Sequence, residues 1–340
     1  MFITPANAIH YLIQRGLLDY PSLTKKQICI SAVDKLRAVI EVINADSSGW
    51  ILKQPNTASR PAVGSLQLEA TFYHIANKFP PIEFSRYLPS MVEYDGNTHV
   101  LILERVGSAN AWFHLLRSSQ PMEDVAPPIA TAFQALHQAH YSHDQLRPAI
   151  RERKPWILTI AESSDGTDED LSFIRNDHLI LHSLCDLARE WSGQNIIHGD
   201  AKLENVMLNV SASRAWLIDW SQVGFGDPAW DIAGIVQSAL ALWTMGLNLD
   251  PEKDFSAALK KEAFSYEEIS LFIRSFLNAY GNVHDEFLTK VFKMSGARML
   301  QTVFEGTERN QVRNHYHLAM LRLAKSALTD PESLRREYAE

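Results

Sequence analysis

The sequence predicts an α+β chain arranged as two lobes. Three observations support this. Over about the first hundred residues, short runs of β-branched and apolar residues alternate with turn signals. After Val106 the apolar spacing becomes helical almost to the C-terminus. The length, 340 residues, exceeds one typical domain, and 46% of the residues are hydrophobic, enough for a large core. The boundaries follow: an N-terminal lobe with a leading helix over 1–106, and a helical C-terminal lobe over 107–340.

The elements read in order. Residues 5–18 form a short amphipathic helix, with Pro5 near its start. "QICISAV" and "AVIEVI" are strands joined by the turn "DKLR". "NADSSG" turns the chain into a third strand, "WILKQP". Gln67 to Asn77 has helical spacing, and Thr98 to Val106 is a buried strand ending in polar residues. The second lobe contains the helices "VAPPIATAFQALHQAHYS" and "LILHSLCDLAREWSG", a buried helix from Asp231, and about four more. Two strands interrupt it, "NVMLNV" and "AWLIDW". Ala161 to Asp170 is an acidic, Ser- and Gly-containing loop.

Several function classes are disfavoured. A formal net charge of -8 does not suit a general nucleic-acid binder. The most apolar long stretch, Asp231 to Leu249, carries Asp231, Gln237 and Ser238, so it reads as a buried helix and not a membrane span. The N-terminus lacks a basic region followed by a long apolar core. Cys29 and Cys185 are far apart in sequence, which suggests neither a disulfide framework nor a zinc site and favours a reducing, cytoplasmic location. His137, His140 and His143 recur every three residues, and read as an ordinary helix end because no carboxylate cluster accompanies them.

The chemistry concentrates in "IIHGDAKLENVMLN" and "WLIDWSQVGFGDPAWDIAG". Asp200 lies in a polar loop before one strand, and Asp219 ends the next. An antiparallel hairpin places the entry of its first strand beside the exit of its second, so Asp200, Asn205 and Asp219 should converge. Asn205 and Asp219 are hard oxygen donors that suit Mg²⁺. Asp200 is then left to face an acceptor hydroxyl. Trp220 and Trp230 flank this point, either as stacking platforms or as core.

"HGDAKLEN", "IDW" and "GDPAWD" at this spacing resemble the aminoglycoside phosphotransferase and choline kinase families, which share the two-lobed protein-kinase-like fold. The resemblance implies that Asp200 is the catalytic base or orients the acceptor hydroxyl, and that Asn205 and Asp219 hold Mg²⁺ on the phosphates of ATP. It implies that Lys53 contacts the α- and β-phosphates and that Glu69 pairs with Lys53. Glu104 to Val106 would be the hinge that meets adenine. Asp231 would brace the catalytic loop, supported by His198 and Asp227. Lys202 stands where serine/threonine protein kinases carry a lysine that meets the transferred phosphate. Phosphoryl transfer depends on charge neutralisation and in-line positioning, which these residues would supply. One departure is the turn "AVDKLRAV", which lacks glycine; Asp34, Lys35 or Arg37 would replace the expected backbone amides.

The resemblance implies an ATP- and Mg²⁺-dependent phosphotransferase acting on an alcohol, such as a small aminoalcohol or aminoglycoside-like molecule. A second reading rests on "GWILKQP", "HGDAKLENVML" and "GDPAWDIAGIVQSALALW", which resemble kinase-like proteins of lanthipeptide and thioamide-peptide biosynthesis. There the acceptor is Ser or Thr of a ribosomal precursor peptide, and a separate lyase partner eliminates the phosphate. A third is a non-catalytic pseudokinase that binds without transfer. Acceptor choice is expected in the helical lobe and in the loop bearing Asp165, Asp168, Glu169 and Asp170.

Overall fold

The computed structural model describes residues 2–25, 28–34, 38–56, 59–78, 83–139, 149–160, 174, 176–246, 264–281, 284–310 and 315–339. The leading helix predicted over 5–18 is the shorter α1 (Ala8–Gln14), and a second helix, α2 (Tyr20–Lys25), follows beyond the predicted span. Gly16 separates them with φ of +70°, a conformation that glycine adopts without a Cβ penalty. The three predicted strands are present as β1 (Cys29–Asp34), β2 (Ala38–Ile43) and β3 (Gly49–Gln54). Lys35 and Arg37 of the glycine-free turn lie outside the described residues, as does the side chain of Asp34. Helix α3 (Arg60–Lys78) starts earlier than its apolar spacing predicts.

A strand not foreseen from the sequence, β4 (Met91–Asp95), pairs with β5 (Val100–Glu104) and completes an antiparallel sheet of order β1-β2-β3-β5-β4. Side chains alternate across a strand, and β5 uses both faces. Val100 and Ile102 pack with Ile40, Val42, Leu52 and Leu12 under the leading helices. Leu101 and Leu103 face Phe72 and Tyr73 of α3 and join the core of the second lobe.

Asp95 fastens the leading helix to this sheet. It accepts hydrogen bonds from the Thr98 hydroxyl at 2.6 Å, the Asn97 amide at 2.9 Å and the Tyr11 hydroxyl at 3.1 Å, and also pairs with Arg15. Burial opposes its charge, but these donors outweigh burial and hold its carboxyl well below the usual carboxylate range.

Beyond Glu104 the chain forms β6 (Ala109–Asn110), α4 (Ala111–Arg117), α5 (Met122–Gln138), α6 (Trp156–Thr159) and α7 (His178–Arg189). Strand β7 (Asn195–Ile197) leads into the polar loop, and β8 (Val206–Leu208) and β9 (Ala215–Leu217) make the predicted hairpin. Strand β10 (Gly224–Gly226) pairs with β7 and precedes α8 (Pro228–Gly246). Among the described residues, four helices follow: α9 (Tyr266–Tyr280), α10 (Asp285–Asn310), α11 (His315–Thr329) and α12 (Pro331–Ala339). Helix α8 is buried along almost its whole length, as its apolar sequence requires. Among the described residues, no helix is long and apolar enough to cross a membrane.

Asp95→Ala is expected to destabilise the N-terminal sheet by about 2–3 kcal/mol, the scale of hydrogen bonds to a charged group. A depressed carboxyl contributes stability that is present above its unfolded value, about 3.9, and is lost as pH falls toward its lower folded value. Denaturant titrations should therefore show a wild-type advantage at pH 7 that shrinks below pH ~4. An advantage that does not change with pH would contradict this role for Asp95.

Candidate active site

The polar loop His198–Asn205 hangs between β7 and β8 and is held by a carboxylate on α8. Helix α8 begins cleanly because Pro228 occupies its first turn and Asp227 Oδ1 accepts from the Ala229 amide at 3.0 Å. Asp227 also pairs with Lys290 at 2.6 Å. One turn on, Asp231 is fully buried. Its oxygens accept the backbone N–H groups of His198 at 2.6 Å and Gly199 at 3.0 Å, and bond the His137 ring at 3.1 Å. Burial opposes the charge on Asp231, but the His137 bond and the facing donors prevail and lower its pKa.

Gly199 has φ of +80°, and a Cβ there would lie 2.2 Å from the Gln222 carbonyl oxygen. That turn aims Asp200 outward. Its Oδ2 accepts from Lys202 Nζ at 2.8 Å and from Asn205 Nδ2 at 3.1 Å. Asn205 Nδ2 also donates to the Asp200 carbonyl at 2.8 Å. Burial disfavours the Lys202 ammonium, but Asp200 beside it outweighs burial and raises its pKa.

The hairpin brings the remaining residues together. Val206 pairs with Leu217, and the Ile218 amide donates to the Asn205 carbonyl at 3.0 Å. Asp219 follows at once, with φ of +65°, a strained position for a non-glycine residue. Lys53 Nζ on β3 lies 2.7 Å from Glu69 Oε1 on α3 and 3.6 Å from Asp219 Oδ1. Burial, the largest influence, pushes the Glu69 carboxyl up, and Lys53 opposes it. Of the residues singled out in the sequence, Lys53, Glu69 and Asp219 thus form one group, and Asp200, Lys202 and Asn205 a second, joined through the hairpin.

Other expectations resolve differently. Trp220 is fully buried and stacks on Phe72 at 4.3 Å, so it is core and not a ligand platform. Trp230 is buried too, with Nε1 donating to the Gly199 carbonyl at 3.1 Å. In the hinge, the Glu104 amide donates to the Ser90 carbonyl and the Arg105 amide to the Gly49 carbonyl. His140, His143 and the acidic loop 161–170 lie outside the described residues.

Two cavities adjoin these groups. One, of about 390 Å³, is lined by Val39, Lys53, Ser65, Glu69 and Ser221. The other, of about 220 Å³, lies on the helical side and is lined by Asp200, Lys202, Glu204, Arg298, Gln301 and Glu305 among others. The sequence reading missed its α10 residues and Glu204. One signal was available: Arg298 sits alone in the apolar run "GARML", where an unpaired charge would be costly.

The model of the APH phosphotransferase enzyme family matches residues 36–272. No curated protein matches the sequence. Among solved structures, the chain is similar to the GDP complex of wild-type aminoglycoside 2′-phosphotransferase-IIIa, with 13% identity, 95% of this chain and 99% of that chain covered, and a TM-score of 0.59. It is similar to macrolide 2′-phosphotransferase MphH from Brachybacterium faecium, with 14% identity, coverage of 96% and 99%, and a TM-score of 0.55. It is similar to choline kinase LicA from Streptococcus pneumoniae, with 14% identity, coverage of 94% and 98%, and a TM-score of 0.54. At such identities these likenesses establish the two-lobed kinase-like fold, while the family match spans well over half of the sequence. The chain belongs to the APH phosphotransferase enzyme family.

Proposed function

We propose that the protein transfers the γ-phosphoryl group of ATP, with Mg²⁺, to a hydroxyl of a small molecule of the aminoalcohol or aminoglycoside class. One observation carries this reading: the Lys53–Glu69–Asp219 group and the Asp200–Lys202–Asn205 group adjoin through one hairpin. The first suits a polyphosphate, and the second suits an acceptor hydroxyl. The small-molecule reading is favoured over a peptide Ser or Thr because the similar structures are named for choline, macrolides and aminoglycosides. A pseudokinase would have no use for the full set of Lys53, Asp200, Asn205 and Asp219 in these positions.

The donor set fits Mg²⁺. Among the described residues, no group of three or more His, Cys, Asp or Glu side chains forms a metal cage. Mg²⁺ needs none, because it binds through one or two protein oxygens plus substrate phosphates and water. Asn205 turns Nδ2 toward Asp200, so its amide oxygen is the end left for a cation. When bound, the metal neutralises charge on the phosphate oxygens.

This chain's residues account for the rest. Glu69 holds Lys53 toward the α- and β-phosphates. Glu104 and Arg105 already use their amides within the sheet, so Val106 is the hinge residue whose amide remains for adenine. Asp200 orients the acceptor hydroxyl in line with the γ-phosphorus and takes up its proton. Lys202, bound to the same carboxylate, stands close enough to meet the transferred group.

Asp200→Asn should reduce phosphoryl transfer by roughly 10²–10⁴-fold, the usual contribution of a general base, while nucleotide binding persists. Transfer kinetics and calorimetric ATP binding on one preparation would decide this; near wild-type turnover would remove Asp200 from the mechanism. Asp219→Ala should instead weaken nucleotide binding chiefly in the presence of Mg²⁺. Titrations with and without the metal would show the difference, and an unchanged metal dependence would sink the ligand assignment.

A further inference from the structure

Arg298 belongs to neither group, yet its guanidinium reaches the polar loop from α10, about a hundred residues downstream. Its side chain is only 8% exposed. Its Nη2 donates to the Ala201 carbonyl at 2.9 Å and lies 3.7 Å from Asp200 Oδ1, and the group stacks over Trp230 at 4.9 Å. Helix α8 leaves room for it at Gly234, where a Cβ would stand 2.0 Å from the Ala201 carbonyl oxygen and 2.8 Å from Arg298 Cζ.

A purely structural pair would look different. Burying a guanidinium costs several kcal/mol, normally offset by a close bidentate carboxylate at about 2.7–2.9 Å. Here the approach to Asp200 is wider, and among the described residues Arg298 Nε has no hydrogen-bond partner. Lys202 and Asn205 both hold Oδ2, so Oδ1 is the oxygen with Arg298 standing off it. Arg298, Gln301, Thr302 and Glu305 follow i, i+3, i+4, i+7 spacing, which places them on one helix face, and all four line the helical-side cavity.

We propose that Arg298 is a positioning residue for the transfer step: it holds Asp200 Oδ1 toward the acceptor hydroxyl from the helix face that also lines the acceptor's cavity. This rests on the phosphotransferase reading above. In the step so arranged, the acceptor O–H gives its proton to Asp200. The freed oxygen forms a bond to the γ-phosphorus. The bond from that phosphorus to the ADP oxygen breaks, and ADP leaves with the electron pair. Arg298 itself exchanges no proton.

The test compares wild type with Arg298→Met, Arg298→Lys and Gly234→Ala. The probes are MgATP with choline, kanamycin or erythromycin as acceptor, and MgATP alone with water as acceptor. Arg298→Met removes one partner of a buried charge pair, a change that can itself destabilise a fold, so thermal stability is measured beside kcat. Its kcat should fall about a hundredfold, the scale of a misplaced catalytic group, with KM for MgATP near the wild-type value. Arg298→Lys should recover part of that loss, because it keeps the charge without the planar fork. Gly234→Ala, whose Cβ presses on the Ala201 carbonyl as well as on the guanidinium, should share the kcat defect. Wild-type kcat in Arg298→Met would overturn the inference. So would a kcat loss that tracks thermal stability and is not recovered by lysine, since that is a structural role. Wild-type protein inactive with every acceptor, water included, would instead overturn the phosphotransferase reading beneath it.

Discussion

The site depends on one buried carboxylate. Asp231 has no solvent to stabilise its charge, so its oxygens must be filled by protein donors or the fold is penalised. The donors it takes are the backbone amides of His198 and Gly199, and this fixes the path of the polar loop. His137 joins from α5, and Tyr280 on α9 bonds the other ring nitrogen at 2.8 Å. The ionised carboxylate can only accept, so the Nε2–H of His137 donates to it. The carboxylate therefore ties α5, α8 and α9 to two consecutive backbone amides, and the loop cannot shift without stranding a buried charge.

From this anchor the constraint spreads to Asp219 and Lys53. His198 Nε2 bonds the Ile218 carbonyl at 2.8 Å, while its Nδ1 accepts from the Asp200 amide at 3.3 Å. One imidazole thus sets the loop against the strand that carries Asp219. Asp219 sits in a backbone conformation that costs about 1–3 kcal/mol for a non-glycine residue. It persists because both sides are fixed: Ile218 bonds Asn205, and Trp220 is locked between Phe72, Phe84 and His198. Phe72 lies on α3, the helix that carries Glu69. Packing of Trp220 on Phe72 thereby sets Asp219 and Glu69 within reach of the same Lys53 ammonium.

The helical-side cavity is built on other terms. Among the described residues, this wall retains buried polar atoms without hydrogen-bond partners: Glu204 Oε2, Gln301 Oε1 and Arg298 Nε. Burial pushes the Glu204 carboxyl up, and burial together with Glu204 pushes the Tyr316 hydroxyl up to about 12. Such a wall is less stable alone than a satisfied one. It is suited to an acceptor that brings polar groups of its own.

The local elements and the polar loop with its hairpin were legible in the sequence, because each depends on short-range pattern. The strand runs, the helical spacing and the spacing from Asp200 through Asn205 to Asp219 all follow from neighbours along the chain. Strand β4 was not legible: "MVEYD" carries two acids, and only pairing with β5 makes it a strand. The roles of Trp220 and Trp230 were also open, since an aromatic beside a site packs or stacks depending on what covers it. Arg298, Gln301 and Glu305 gave no motif, because their meaning comes from the packing of α10 against α8 and the loop. The sequence by itself thus determined which residues form the loop and its hairpin. The tertiary structure alone decided which distant side chains close around them, because a contact across a hundred residues is set by packing and not by spacing.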